Sequence, residues 1–132
     1  MRRTALAAAG LGLLALTACG GGESTSASSD EPTTASGPVV KMPLTQFDPA
    51  KISIKTGDTL TWENSNDIGH TLVQGTYEVD AAGQRTSEKD DGTFTLDVKK
   101  KGDKVTHTYA TAGTFDYYCT IHKAMNGTVT VA

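Results

Sequence analysis

The chain has 132 residues, 37% of them hydrophobic, with 12 Lys and Arg against 15 Asp and Glu and a formal net charge of −3. That acidic balance argues against nucleic acid as a partner. Two cysteines are too few for a disulfide-stapled scaffold, so any stability must come from a packed core.

In chain order, the first element is Met1-Arg2-Arg3 followed by an uncharged run of mostly Ala, Leu and Gly from Thr4 to Ala18. The run is too short and small-sided for a transmembrane helix and reads as a secretory signal over residues 1–18. Arg2-Arg3 also suits twin-arginine export, although paired arginines are common in any positively charged start. The run ends in Leu16-Thr17-Ala18-Cys19, which resembles a bacterial lipobox. The resemblance implies that Cys19 is lipidated and becomes the mature N-terminus. It also implies that the protein is held on the extracytoplasmic (periplasmic or extracellular) face of a cell membrane. A plain secreted protein cleaved nearby is the alternative.

Residues 19–38 hold Cys19 and then a stretch of Gly, Ser, Thr, Pro and a few acids that offers no large apolar side chain for a core. As a flexible tether, its 19 residues after Cys19 span about 25 Å. Without Arg2 and Arg3, 10 basic residues face 15 acidic ones, a net charge of −5, which suits steering toward a cationic partner.

Residues 39–132 then form one domain of 94 residues, large enough for its own core. Short β-type runs alternate with turn signals. Ile52 to Lys55 alternates, and Thr56-Gly57-Asp58 turns the chain. Thr59 to Trp62 puts Leu60 and Trp62 on one face. His70 to Val73, Phe94 to Val98, Lys104 to Tyr109, Gly113 to Cys119 and Thr128 to Val131 follow. No helical period is evident after residue 38. The pattern predicts an all-β sandwich or barrel. The polar, turn-rich segment from Gly75 to Gly92 reads as a long loop, with Glu88 to Asp91 solvated. Lys99-Lys100-Lys101-Gly102 reads as a solvated turn. Asn126-Gly127 reads as a turn rather than a used glycosylation sequon. Met42 is expected in a strand or at an edge, Trp62, Tyr117 and Tyr118 in the core or its rim, and His107 in a structural or surface role.

The chemistry concentrates in Cys119-Thr120-Ile121-His122-Lys123-Ala124-Met125, with His70 far upstream. If Cys19 carries lipid, Cys119 has no disulfide partner, and a histidine three residues on favours a ligand role. One thiolate, two imidazoles and a thioether are the donor set of a blue-copper electron-transfer site, in which the methionine is a weak axial ligand. Zinc could take the same Cys and two His with a water, but would not require the Met. A cysteine nucleophile would need an orienting acid or carboxamide, and none is evident.

Two blocks, Phe47 to Val73 and Ala112 to Val131, resemble the plastocyanin/amicyanin-type cupredoxins, and the resemblance covers nearly all of residues 39–132. The spacing C-x2-H-x2-M is similar to that of amicyanin and pseudoazurin. The resemblance implies a Greek-key β-sandwich with one type-1 copper ion at one end, bound by His70, Cys119, His122 and Met125. It implies no enzymatic activity. His122 is the expected electron port to a redox donor and acceptor, with the protein acting as a monomer. Copper buffering or delivery is the alternative function. Gly69 and Ile121 stand where relatives often carry Pro. Thr71 stands where they often carry an Asn that ties the two ligand loops, and its hydroxyl is the expected substitute. Backbone N–H groups near Asn64 or Thr71 are expected to bond the Cys119 sulfur and raise the potential.

Overall fold

A computed structural model describes residues 37–132; the signal, Cys19 and residues 20–36 of the tether lie outside the described residues. Alternation in the short runs produces two sheets. β1 (Val39–Met42), β3 (Thr59–Asn64) and β6 (Lys104–Thr108) make the smaller one, in the order β1-β3-β6. The larger is built from β2 (Lys51–Ile54), β8 (Asn126–Val131), β7 (Gly113–Cys119), β4 (His70–Val79) and β5 (Arg85–Val98), in the order β2-β8-β7-β4-β5. β1 runs parallel to β3 and β2 parallel to β8; the remaining ladders are antiparallel.

The period of two decides which side chains meet between the sheets. From β3, Leu60, Trp62 and Asn64 are all fully buried. From β1 come Val40 and Met42; Met42 lies in a strand at the edge of its sheet, as expected, and its side chain is fully buried in the core. From the other sheet come Leu72, Tyr117, Val129 and Val131. Trp62 meets Phe94 at 5.6 Å and Tyr117 edge-on at 5.3 Å, and Phe47 closes on Tyr117 at 4.6 Å. These contacts make the molecule an all-β sandwich, and each such buried side chain contributes about 1.5–3 kcal/mol. His107 is in the structural role expected of it. Its ring lies tilted against Phe94 (4.9 Å) and edge-on to Tyr109 (4.8 Å), and burial, opposed by the Asp91 charge, lowers its pKa from the usual imidazole range.

The turns follow their residues. Gly57 adopts φ +91°, and the Asp58 carboxylate accepts the Lys55 N–H at 2.8 Å. Lys99 to Gly102 is the solvated turn expected, closed by the Asp103 carboxylate on the Lys99 and Lys100 N–H groups at 2.9 and 3.1 Å.

Residues 75–92 depart from the sequence reading. They are not a loop: β4 and β5 continue through them as a two-stranded arm, pairing Gly75 with Asp90, Thr76 with Lys89, Tyr77 with Glu88 and Glu78 with Ser87. Glu88 to Asp91 therefore lies in a strand. The register jumps from Val73↔Thr95 to Gly75↔Asp90 at the base of the arm. The strands come so close there that a Cβ on Gly75 would lie 2.1 Å from the Lys89 carbonyl oxygen. At the tip, the Asp80 carboxylate accepts the N–H groups of Ala82 (2.9 Å) and Gln84 (3.0 Å). The arm lies back over β7 and β8. Tyr77 meets Tyr118 edge-on at 6.2 Å, and the Arg85 N–H donates to the Lys123 carbonyl at 2.9 Å. Asn126 is likewise not in a turn. It opens β8, and its amide donates to the Gly83 carbonyl at 3.3 Å.

Candidate metal centre

Two strands and one loop bring the ligand candidates together. Cys119 ends β7 and is fully buried. It pairs with Leu72 of β4, two residues after His70, which opens β4 and is 1% exposed. After Cys119 the chain turns tightly. The Met125 N–H donates to the His122 carbonyl at 3.1 Å, and the Cys119 N–H donates to the Met125 carbonyl at 3.0 Å. The loop is thus closed by its own backbone, with Met125 fully buried and His122 half-buried.

The donor atoms of His70, Cys119 and His122 all lie within 4.8 Å of one another. Nδ1 of His70 is 3.9 Å and Nδ1 of His122 is 3.5 Å from the Cys119 sulfur. An ion with bonds of about 2.3 Å to sulfur and about 2.0 Å to nitrogen, opened by about 110–120°, separates the two ligands by about 3.5–3.7 Å. The His122 spacing falls in that range and the His70 spacing is about 0.2 Å longer. His70 turns Nδ1 toward the Cys119 sulfur, while its Nε2 is buried with no hydrogen-bond partner among the described residues. Burial and then the His122 charge lower the His70 pKa, which favours the neutral ring that a metal requires. The donor set fits a type-1 copper ion.

Other expectations are corrected. The Thr71 hydroxyl does not tie the ligand loops; it donates to the Asp97 carboxylate at 2.7 Å. The tie is made by the backbone, Thr120 N–H to the Thr71 carbonyl at 2.9 Å, which any residue type at position 71 supplies. Nor does the Asn64 N–H reach the Cys119 sulfur, because it donates to the Asp103 carbonyl at 2.9 Å. The Asn64 side chain has a role the sequence did not announce. Its amide donates to the Ile68 carbonyl at 2.8 Å and its oxygen accepts the Asn66 N–H at 3.2 Å, shaping the loop that delivers His70. A buried Asn three residues before an Asp and six before a ligand His was the available signal.

Comparison with known proteins agrees with this geometry. The family described as copper binding proteins, plastocyanin/azurin family, matches residues 39–132. A plastocyanin from Scenedesmus fuscus is 33% identical over 89 residues, covering 64% of this chain and 85% of that protein. An amicyanin from Paracoccus denitrificans is 30% identical over 95 residues, covering 70% of this chain and 63% of that protein. The solved reduced state of an amicyanin mutant superposes with a TM-score of 0.55 at 28% identity, covering 74% of this chain and 83% of that one.

Proposed function

The chain belongs to the plastocyanin/azurin family of copper-binding proteins, and on that premise we propose that it is a blue-copper electron carrier, anchored outside the cytoplasm through a lipid on Cys19. The observation that carries the redox reading is the pair of imidazole Nδ1 atoms at 3.5 and 3.9 Å from one buried thiol. His70, Cys119 and His122 would hold the copper, with Met125 as axial ligand. Copper so bound supplies a one-electron couple.

The protein's part is to keep the ligands still and dry. Cys119 is fixed at the end of a strand and shielded from water. The loop from Cys119 to Met125 is held by its two internal backbone bonds and by the Thr120–Thr71 tie. Side chains so held need little rearrangement when the charge at the centre changes, and small rearrangement favours fast transfer. His70 is sealed in, whereas His122 is half-buried, which supports His122 as the port. Ile121 beside it is 59% exposed, an apolar contact suited to a transient redox partner; Lys123 on its other side adds a positive charge. The Leu16-Thr17-Ala18-Cys19 motif and the polar tether support the anchor.

The test is the visible spectrum of the protein after addition of Cu(II). The expected result is an intense thiolate-to-copper band that bleaches on reduction and returns on oxidation. A protein that binds copper without that band would overturn the assignment. Labelling with a radioactive fatty acid, lost in Cys19→Ala, tests the anchor separately.

A further inference from the structure

We infer that Arg85, at the tip of the β4–β5 arm, is a positioning residue for the copper-ligand loop, fixing the loop from behind and setting the reduction potential with its charge. The inference rests on the copper reading above. Arg85 lies 34 residues before Cys119 in sequence, yet its guanidinium is fully buried beneath the loop. Nη2 donates to the Cys119 carbonyl at 2.7 Å. Nη1 donates to the Asn126 side-chain oxygen at 2.7 Å and lies 3.3 and 3.4 Å from the His122 and Met125 carbonyls. The backbone N–H of Arg85 adds the bond to the Lys123 carbonyl. One side chain therefore touches the main chain of three proposed ligands.

Its own placement is equally constrained. The guanidinium lies 4.5 Å over the Tyr118 ring, and Nε is paired with the Glu88 carboxylate, which also approaches the Lys123 ammonium at 3.7 Å. A planar fork with five fixed donors suits this cluster of carbonyls in a way that a lysine ammonium does not. A charge with this little water around it acts through a low effective dielectric. A positive charge disfavours the more positive, oxidised state of the centre, so Arg85 raises the potential, and Glu88 opposes it. The arm is thus the part of the fold through which the loop's geometry and the centre's charge balance are adjusted together.

The experiment uses the full-length chain, copper-free and copper-loaded, as Arg85→Gln, Arg85→Lys and Glu88→Gln. In the copper-free protein, amide hydrogen exchange at Cys119 and Met125 should quicken by about 10- to 100-fold in Arg85→Gln and Arg85→Lys, while strands β3 and β6 keep their protection. In the loaded protein, the midpoint potential should fall in Arg85→Gln and rise in Glu88→Gln, with Arg85→Lys close to the parent. Opposite signs from two neighbouring substitutions are not what loosened packing produces. Unchanged loop exchange, a uniform rise across all strands, or potentials that move in the same direction would overturn the inference. If the unsubstituted protein shows no blue band, the copper reading itself fails, and the exchange data still decide whether Arg85 holds the loop.

Discussion

Gly75→Ala is the sharpest probe of the arm. Gly75 has no unusual φ, so contact alone decides what a side chain there costs. The added Cβ would lie 2.1 Å from the Lys89 carbonyl oxygen and 2.9 Å from the Asp90 Cα, against 3.4 Å or more in ordinary contact. Both neighbours are backbone, so no rotamer change relieves them, and the strands must part by more than about 1 Å. That stretch takes the flanking ladder bonds past hydrogen-bonding distance. Two lost bonds cost about 1–3 kcal/mol, and overpacking of this kind costs about 1–3 kcal/mol by itself. We expect a loss of about 3 kcal/mol. In urea unfolding of the copper-free protein, followed by Trp62, the only tryptophan in the chain, that lowers the midpoint by about 2 M. Amides of Thr76 to Val79 should exchange faster than those of β3. Gly92→Ala is the control: nothing lies within 4 Å of its added Cβ, and only its φ of +77° is penalised, at about 1 kcal/mol. A Gly75→Ala midpoint within about 0.3 M of the parent, with the arm still protected, would refute the reasoning.

Further outcomes follow from the same contacts. Cys119→Ser should abolish the blue band, because an alcohol oxygen does not replace the thiolate; a protein that stays blue by absorption would refute the ligand assignment. Met125→Leu should keep the band and raise the midpoint potential, since it removes a weak donor and leaves an apolar side chain; voltammetry reads the direction. Gly127→Ala should destabilise by about 1–3 kcal/mol, because its Cβ would fall 2.3 Å from Cζ of Tyr117, a ring already wedged against Phe47 and Trp62. His107 has a lowered pKa, so its neutral form is the one the fold accepts; its stability contribution is present above pH 6.5 and is lost as pH falls through the folded value. The stability gap between His107→Phe and the parent should therefore widen in favour of the variant as pH drops from 7 toward 5, measured by thermal unfolding at each pH.

The sandwich was legible wherever one face of a strand is buried. Leu60 and Trp62, or Val129 and Val131, alternate with polar neighbours, and the alternation is the burial pattern itself. The ligand constellation was legible because its spacing is chemical and its residue types are rare. The arm was not legible, because residues Thr86 to Thr93 are exposed on both faces and leave no period to read. Its one local signal was Asp80 with Gly83, whose turn joins the two strands. Arg85 was invisible for another reason. An arginine in a polar run reads as solvated, and only the fold brings the carbonyls of residues 119–125 to it. The Thr71 expectation failed because it assigned to a side chain a bond that the backbone makes.

The position of β5 at the rim of the larger sheet has a consequence for how molecules of this protein meet one another. A 14-residue rim strand is a long row of unpaired N–H and C=O groups, the kind on which a second chain can zip. Here the solvent-facing stretch carries Glu88, Lys89, Asp90 and Asp91 in succession, and the register jump at Gly75 breaks its line. Three carboxylates and one ammonium in four residues, on a line that bends, make a poor template for a second strand. The charges that conceal the arm in the sequence thus also keep neighbouring molecules apart, and the protein can be crowded without its sheets growing into one another.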